Sequence, residues 1–136
     1  MPTAKEILEQ YCAAMEKGAD ECMALMADDV VLRAPTMAPP IPQEVRGLAQ
    51  VRPLYEMLFA QVFDEFRWTY QVYATDDDEV AFATAASTPK LRNGLPYKQD
   101  YAIYSRVKDG KIVEHTEFMD SNRFQKASVG LFGPAA

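Results

Sequence analysis

Apolar side chains recur at helical spacing at Ile7, Leu8, Tyr11, Ala14 and Met15, behind a Thr3-Ala4-Lys5-Glu6 capping box. The spacing predicts a helix over 3–17, stopped by Gly18. Asp20 is placed to cap a second, short helix carrying Cys22, Met23, Leu25 and Met26 and ending at Ala27-Asp28-Asp29. Val30-Val31-Leu32-Arg33 is apolar and β-branched and predicts a strand. Pro35, Pro39, Pro40 and Pro42 make 34–43 a non-helical loop, because each proline removes a backbone donor and fixes φ. A lid and a rigid surface connection fit this loop equally. After Gly47 the helical spacing returns at Leu48, Val51, Leu54, Tyr55, Leu58, Phe59 and Val62 and predicts a helix to about Phe63. Pro53 inside it implies a kink or a later start.

At Phe66 the period changes to two. Phe66, Trp68, Tyr70 and Val72 alternate with Arg67, Thr69, Gln71 and Tyr73, a strand that Asp76-Asp77-Asp78 ends in a solvated turn. Further strands are predicted over 79–87 and 97–107, with a loop over 89–96 between them. Asp109-Gly110 has the residues of a two-residue hairpin turn, in which both adopt positive φ. The returning strand covers 111–120. Helix, helix, strand, helix and a four-strand meander make an α+β domain, and helices on one face of a curved, mostly antiparallel sheet leave a cone-shaped interior suited to a pocket.

The 136 residues fit one domain, residues 1–136, of ordinary composition. A net charge of −6 with scattered Lys and Arg argues against nucleic-acid binding. No signal peptide opens the chain and no apolar run reaches the ~18–20 residues of a membrane span. Cys12 and Cys22 fall at apolar helical positions and read as buried thiols, which fits a reducing, cytoplasmic setting. Two cysteines and one histidine cannot complete a Cys/His zinc site, so neither a metal nor another cofactor is expected.

Residues 11–18 (YCAAMEKG) followed by Leu25-Met26-Ala27-Asp28-Asp29-Val30 resemble the opening of ketosteroid isomerases and of the wider nuclear-transport-factor-2-like superfamily, which includes the SnoaL-like polyketide cyclases. Arg46-Gly47 before a helix, and residues 107–113 (VKDGKIV) before Glu117-Phe118-Met119-Asp120, resemble its other landmarks. The resemblance spans nearly the whole chain. It implies the cone-shaped fold with an internal pocket, a small apolar ligand and a homodimer formed through the convex sheet face bearing Thr116 and Phe118. Chemistry is a separate matter, since this architecture hosts isomerases, cyclases, dehydratases, epoxide hydrolases and non-catalytic binding modules. Tyr11 matches the isomerase tyrosine that donates to an oxyanion. The position similar to the general base holds Ala34, and that of the second acid falls on Ala102 or Ile103. The epoxide-hydrolase Arg/Asp pair is absent from 81–88, and His115 is the chain's only histidine.

A regular two-residue hairpin pairs Lys108 with Lys111, and thus Tyr104 with His115 and Ala102 with Glu117, all on one side of the sheet. The opposite side is the more apolar, so pattern alone does not choose the core face. The resemblance does, since isomerase pocket positions match His115, Glu117 and Met119. The expected site therefore centres on Glu117 as principal acid/base, with small Ala102 opposite leaving it room to turn inward. His115 is the complementary acid or base, Tyr104 orients its ring, and Tyr11 donates to a developing oxyanion. Asp120 is a further catalytic candidate, with ending the strand or capping the next turn as its other reading. Met119, Trp68 and Phe59 are expected to wall the pocket. A rim salt bridge from Glu117 to Arg106 or Arg33 is the competing structural role. The set fits proton-transfer isomerisation, elimination or aldol-type cyclisation of a small apolar, polyketide- or terpenoid-like molecule. A ligand-binding or assembly module without catalysis is the other reading.

Overall fold

The computed structural model describes residues 1–132. Helix α1 (Ala4–Ala14) starts as expected, with Thr3 Oγ1 accepting the Glu6 N–H at 3.1 Å. Helix α2 (Ala19–Met23) is capped by Gly18 and not by Asp20, whose carboxylate instead meets Arg52 at 3.4 Å. Gly18 has φ +149°, a conformation that side chains disfavour. Strand β1 (Met26–Arg33) therefore begins four residues earlier than Val30. The loop that follows leads to the short strand β2 (Glu44–Arg46) and to α3 (Leu48–Met57). Pro53 lies inside α3, and the predicted helical run to Phe63 finishes as a single π-helical stretch, Leu58–Val62.

Strands β3 (Phe63–Glu65), β4 (Trp68–Ala74), β5 (Val80–Ser87), β6 (Lys90–Leu91), β7 (Gln99–Lys108) and β8 (Lys111–Met119) follow, and α4 (Ser121–Ala127) closes the described chain. The main sheet runs β2-β1-β8-β7-β5-β4, antiparallel except for the parallel β1/β8 pair, and β3 pairs with β6 separately. Strand β5 turns Ala81, Ala83, Ala85 and Ser87 inward, and these small side chains let α1 lie close against the sheet. Burial of the α1 face (Ile7, Leu8, Tyr11, Cys12) against β4, β5 and β7 makes the floor of the core. No helix of the described residues is long and apolar enough to cross a membrane.

The hairpin turn forms as its residues require, with φ +51° at Asp109 and +76° at Gly110. Beyond it the register departs from the regular pattern. Lys108 pairs with Lys111 and Val107 with Ile112, but Arg106 then pairs with Glu114, so Val113 is an extra residue in β8. Every later pair slips by one: Ser105 opposes His115, Ile103 opposes Glu117 and Tyr101 opposes Met119. Because side chains alternate with period two, this single insertion exchanges the faces of β7 relative to β8. Tyr104 and Ala102 lie on the outer face, opposite Thr116 and Phe118. The alternation that buries Trp68 and Val72 does not bury Tyr70, which sits between them on the edge strand β4 and is 38% exposed.

Candidate active site

A cavity of about 110 Å³ lies between the inner face of the sheet, α1, α3, the π-helical stretch and α4. Its walls are mainly aliphatic, thioether and aromatic, with Met15, Met37, Phe59, Phe63, Met119 and Phe124 among them, and among the described residues Arg33 is the one basic chain at its edge. The 34–43 loop forms one side, burying Met37 and Ile41. It is pinned rather than hanging free. Thr36 Oγ1 donates to the Met119 carbonyl at 2.6 Å, and Gln43 Nε2 donates to the carbonyls of Pro35 and Met37 at 3.2 and 2.9 Å.

One carboxylate enters this apolar space. Glu117, on β8, keeps 16% of its side-chain surface accessible, and its Oε2 collects two donors. Tyr11 Oη donates at 3.3 Å and His115 Nε2 lies at 2.9 Å. Tyr11 has one hydrogen to give, so Tyr55 Oη donates to Tyr11 Oη across 2.6 Å. At the other end, Ser105 Oγ lies 2.6 Å from His115 Nδ1. Five side chains from α1, α3, β7 and β8 thus form a line, Tyr55–Tyr11–Glu117–His115–Ser105. Glu117 Oε1 takes no hydrogen bond among the described residues and is not sealed in the protein, which leaves it for the cavity. The tilted Tyr11 and His115 rings, 4.4 Å apart, lock the line sideways.

The electrostatics centre on the same carboxylate. Burial first, then the adjacent Tyr55 phenol and the Glu117 charge, holds the Tyr11 hydroxyl well above the usual tyrosine range. Burial and then Glu117 do the same to Tyr55. Both phenols therefore stay protonated and serve as donors rather than bases. On the neighbouring wall Tyr97 and Tyr101 also line the cavity. Burial raises both, Tyr97 to about 12. Gln99 Nε2 donates to Tyr97 Oη at 2.8 Å, and Tyr101 Oη meets Ser87 Oγ at 2.9 Å.

The remaining expected site residues are placed as follows. Phe59 and Met119 line the cavity. Trp68 does not: it is buried behind Tyr101 in a right-angled contact at 5.3 Å and donates Nε1–H to the Cys12 carbonyl at 2.8 Å. Tyr104 and Ala102 are excluded from the cavity by the Val113 insertion, so Tyr104 does not orient His115 and Ala102 does not face Glu117. Asp120 lies outside the cavity and is the N-cap of α4, its Oδ1 accepting the N–H groups of Asn122 at 2.9 Å and Arg123 at 3.2 Å. Arg106 pairs with Asp77, Glu79 and Glu114, and Arg33, which also lines the cavity, with Glu44 and Glu114, so among the described residues neither forms an ion pair with Glu117. Sequence reasoning missed Ser105, Tyr55, Tyr97 and Tyr101. Tyr55 was visible only as one more apolar helix position, and Ser105 becomes the partner of His115 only through the insertion.

Ser105, His115 and Glu117 have the spacing of a hydrolytic triad but not its order. Ser105 is fully buried, does not line the cavity and sits on Nδ1, while the carboxylate occupies the Nε2 side that a triad reserves for the nucleophile. The arrangement is instead a carboxylate held by supporting donors, a geometry chemically suited to general acid/base work.

A family model for the SnoaL-like domain matches residues 8–115. Among solved structures, a provisionally assigned isomerase of Bacillus subtilis is 22% identical, with 93% of each chain covered and a TM-score of 0.82. A provisionally assigned polyketide cyclase of Pseudomonas putida KT2440 is 20% identical over 93% of this chain and 98% of its own, with a TM-score of 0.78. An epoxide hydrolase of M. tuberculosis is 18% identical over 97% of this chain and 96% of its own, with a TM-score of 0.71. No curated protein matches the chain. At these identities the likeness carries the fold and leaves the chemistry to the site.

Proposed function

The chain belongs to the SnoaL-like domain family, and from that premise we propose that it is a cofactor-independent acid/base enzyme whose principal catalytic group is Glu117. The observation that carries this reading is the asymmetry of one carboxylate: Oε2 is held by two protein donors and Oε1 takes none among the described residues, beside a largely apolar cavity. Such a group is oriented before substrate arrives and needs little reorganisation during proton transfer.

In the proposed reaction a small apolar, cyclic polyketide- or terpenoid-like carbonyl compound occupies the cavity with an acidic C–H at Oε1. Oε1 takes that proton, and the electron pair of the C–H bond moves into the carbonyl as an enolate. Tyr11 and His115 keep the carboxylate in place, and Tyr97 and Tyr101 are the phenolic donors on the adjoining wall. Tyr101 lies diagonally across the ladder from Glu117, about 7–8 Å at the backbone, a separation that a small ring can bridge. Glu117 then returns the proton at another carbon, to a leaving hydroxyl, or, where the enolate carbon has added to a second carbonyl of the same molecule, to the alkoxide so formed. Isomerisation, elimination and aldol-type cyclisation all fit. Incubating the protein with small cyclic ketones and recovering them by mass spectrometry tests the reading: a transformed compound supports catalysis, and compounds that bind but return unchanged support a binding module instead.

The working unit is proposed to be a cytoplasmic homodimer. The outer sheet face carries Tyr73, Phe82 and Tyr104 in register across β4, β5 and β7, with Phe118 beside them on β8, and Tyr73, Phe82 and Phe118 are 38–48% exposed. A second copy covering this face would bury that aromatic row. The buried, free thiols of Cys12 and Cys22 are compatible with a reducing compartment.

A further inference from the structure

We propose that Ser105 is a positioning residue that locks His115 in its Nε2–H tautomer and so makes the imidazole a fixed hydrogen-bond donor to Glu117. The inference rests on the reading of Glu117 as the acid/base group, but its geometry is independent of turnover.

The tautomer is set from both ends of the ring. Nε2 lies 2.9 Å from a carboxylate oxygen, which can only accept, so a lone pair on Nε2 would face another lone pair. Nε2 therefore carries hydrogen, and in the neutral ring Nδ1 accepts. Ser105 Oγ is the group in reach of Nδ1, at 2.6 Å, and as a hydroxyl it can supply the hydrogen. The opposite tautomer fails at both contacts. Nδ1–H would then donate to Ser105 Oγ, and the serine's own hydrogen would have no acceptor, since Oγ has no other partner among the described residues and Ser105 is fully buried.

Chain geometry supplies the pairing. Without the extra residue at Val113, regular alternation would place Tyr104 opposite His115 and turn Ser105 to the other face; with it, Ser105 and His115 are directly opposed on adjacent strands. His115 consequently does not relay protons for the substrate. It holds Oε2 so that Oε1 does.

Because His115 is the only histidine, nitrogen-15 NMR of the full chain labelled at histidine reports this one imidazole. The wild type is expected to show a protonated Nε2 and an unprotonated, hydrogen-bonded Nδ1. Ser105→Ala should lower the ratio of Nε2–H to Nδ1–H tautomer by about 5- to 150-fold, because only the Nδ1–H form strands the buried serine hydrogen, and Ser105→Thr, which keeps a hydroxyl, should restore it. An Nδ1–H tautomer in the wild type overturns the proposal even if no variant folds, and so does an unchanged ratio in folded Ser105→Ala. If instead the tautomer behaves as expected while Glu117→Gln leaves catalysis intact, the proposed function fails and this assignment stands.

Discussion

The direction of the hydrogen bonds in the Tyr55–Tyr11–Glu117 line predicts a change of sign in a mutant cycle. Tyr11 spends its one hydrogen on Glu117, so Tyr55 donates to Tyr11. Tyr11→Phe removes a bond to a charged acceptor, about 1.5 kcal/mol at the low end of the usual scale because 3.3 Å is long. It also strands the Tyr55 hydroxyl, only 5% of that residue being exposed, for about 1–3 kcal/mol more. The expected loss is about 2.5–4.5 kcal/mol. Tyr55→Phe alone removes one neutral bond and strands no donor, a loss of about 0.5–1.5 kcal/mol. In the Tyr11→Phe background, however, Tyr55→Phe deletes the stranded hydroxyl and should return about 1–3 kcal/mol. Urea denaturation of the four proteins, with equal m-values as the check on two-state behaviour, measures the cycle. If Tyr55→Phe destabilises the Tyr11→Phe protein further, the donor order assigned here is wrong.

Alkaline pH should unfold the protein before ordinary tyrosine chemistry would suggest. Tyr97 rises from 10.0 to about 12 and Cys12 from 9.0 to about 12 on folding, both by burial. A raised folded-state value means that stability is fully present below the unfolded value and is lost as pH climbs toward the folded one, at about 1.4 kcal/mol per pH unit per group. The urea midpoint should therefore be level to about pH 9 and fall steeply from there to pH 12; a level midpoint throughout would contradict the burial of these groups. Asp120→Ala should cost about 0.5–2 kcal/mol through loss of the α4 cap and leave turnover unchanged; an equally stable variant with impaired turnover would return Asp120 to the catalytic set. Phe82→Glu or Phe118→Lys should convert the proposed dimer to a monomer in light scattering, while a wild type that is already monomeric at micromolar concentration would remove the dimer from the account.

The element order and the hairpin turn were legible in the chain because their signals are local: Thr3 with Glu6 for the first helix, the period-two run from Phe66, and Asp109-Gly110 at positive φ. The Val113 insertion was not legible. Val113-Glu114-His115 contains no glycine or proline to mark a bulge, yet the extra residue exchanges the faces of β7 and replaces Tyr104 and Ala102 by Ser105 and Ile103 as partners of His115 and Glu117. Pattern alone left the pocket face open, and the inward placement of His115, Glu117 and Met119 came from resemblance to the family. Asp120-Ser121-Asn122 held a capping signal, which pointed first to a structural role, but a carboxylate close to Glu117 in sequence also read as chemistry. Trp68 and Tyr70 show the limit of alternation on an edge strand. The same face buries Trp68 under α1 and leaves Tyr70 substantially exposed at the sheet margin.

Deuterium wash-in tests the central claim about Glu117 most directly, because it reads proton abstraction without requiring the natural substrate. Small apolar cyclic ketones such as 2-indanone, incubated in D2O with the protein, should gain deuterium at the carbon beside the carbonyl faster than in buffer. Folded Glu117→Gln, its amide still able to occupy the Tyr11 and His115 contacts, should lose that acceleration by about 10²–10⁴-fold. Wash-in by Glu117→Gln at the wild-type rate would contradict the account.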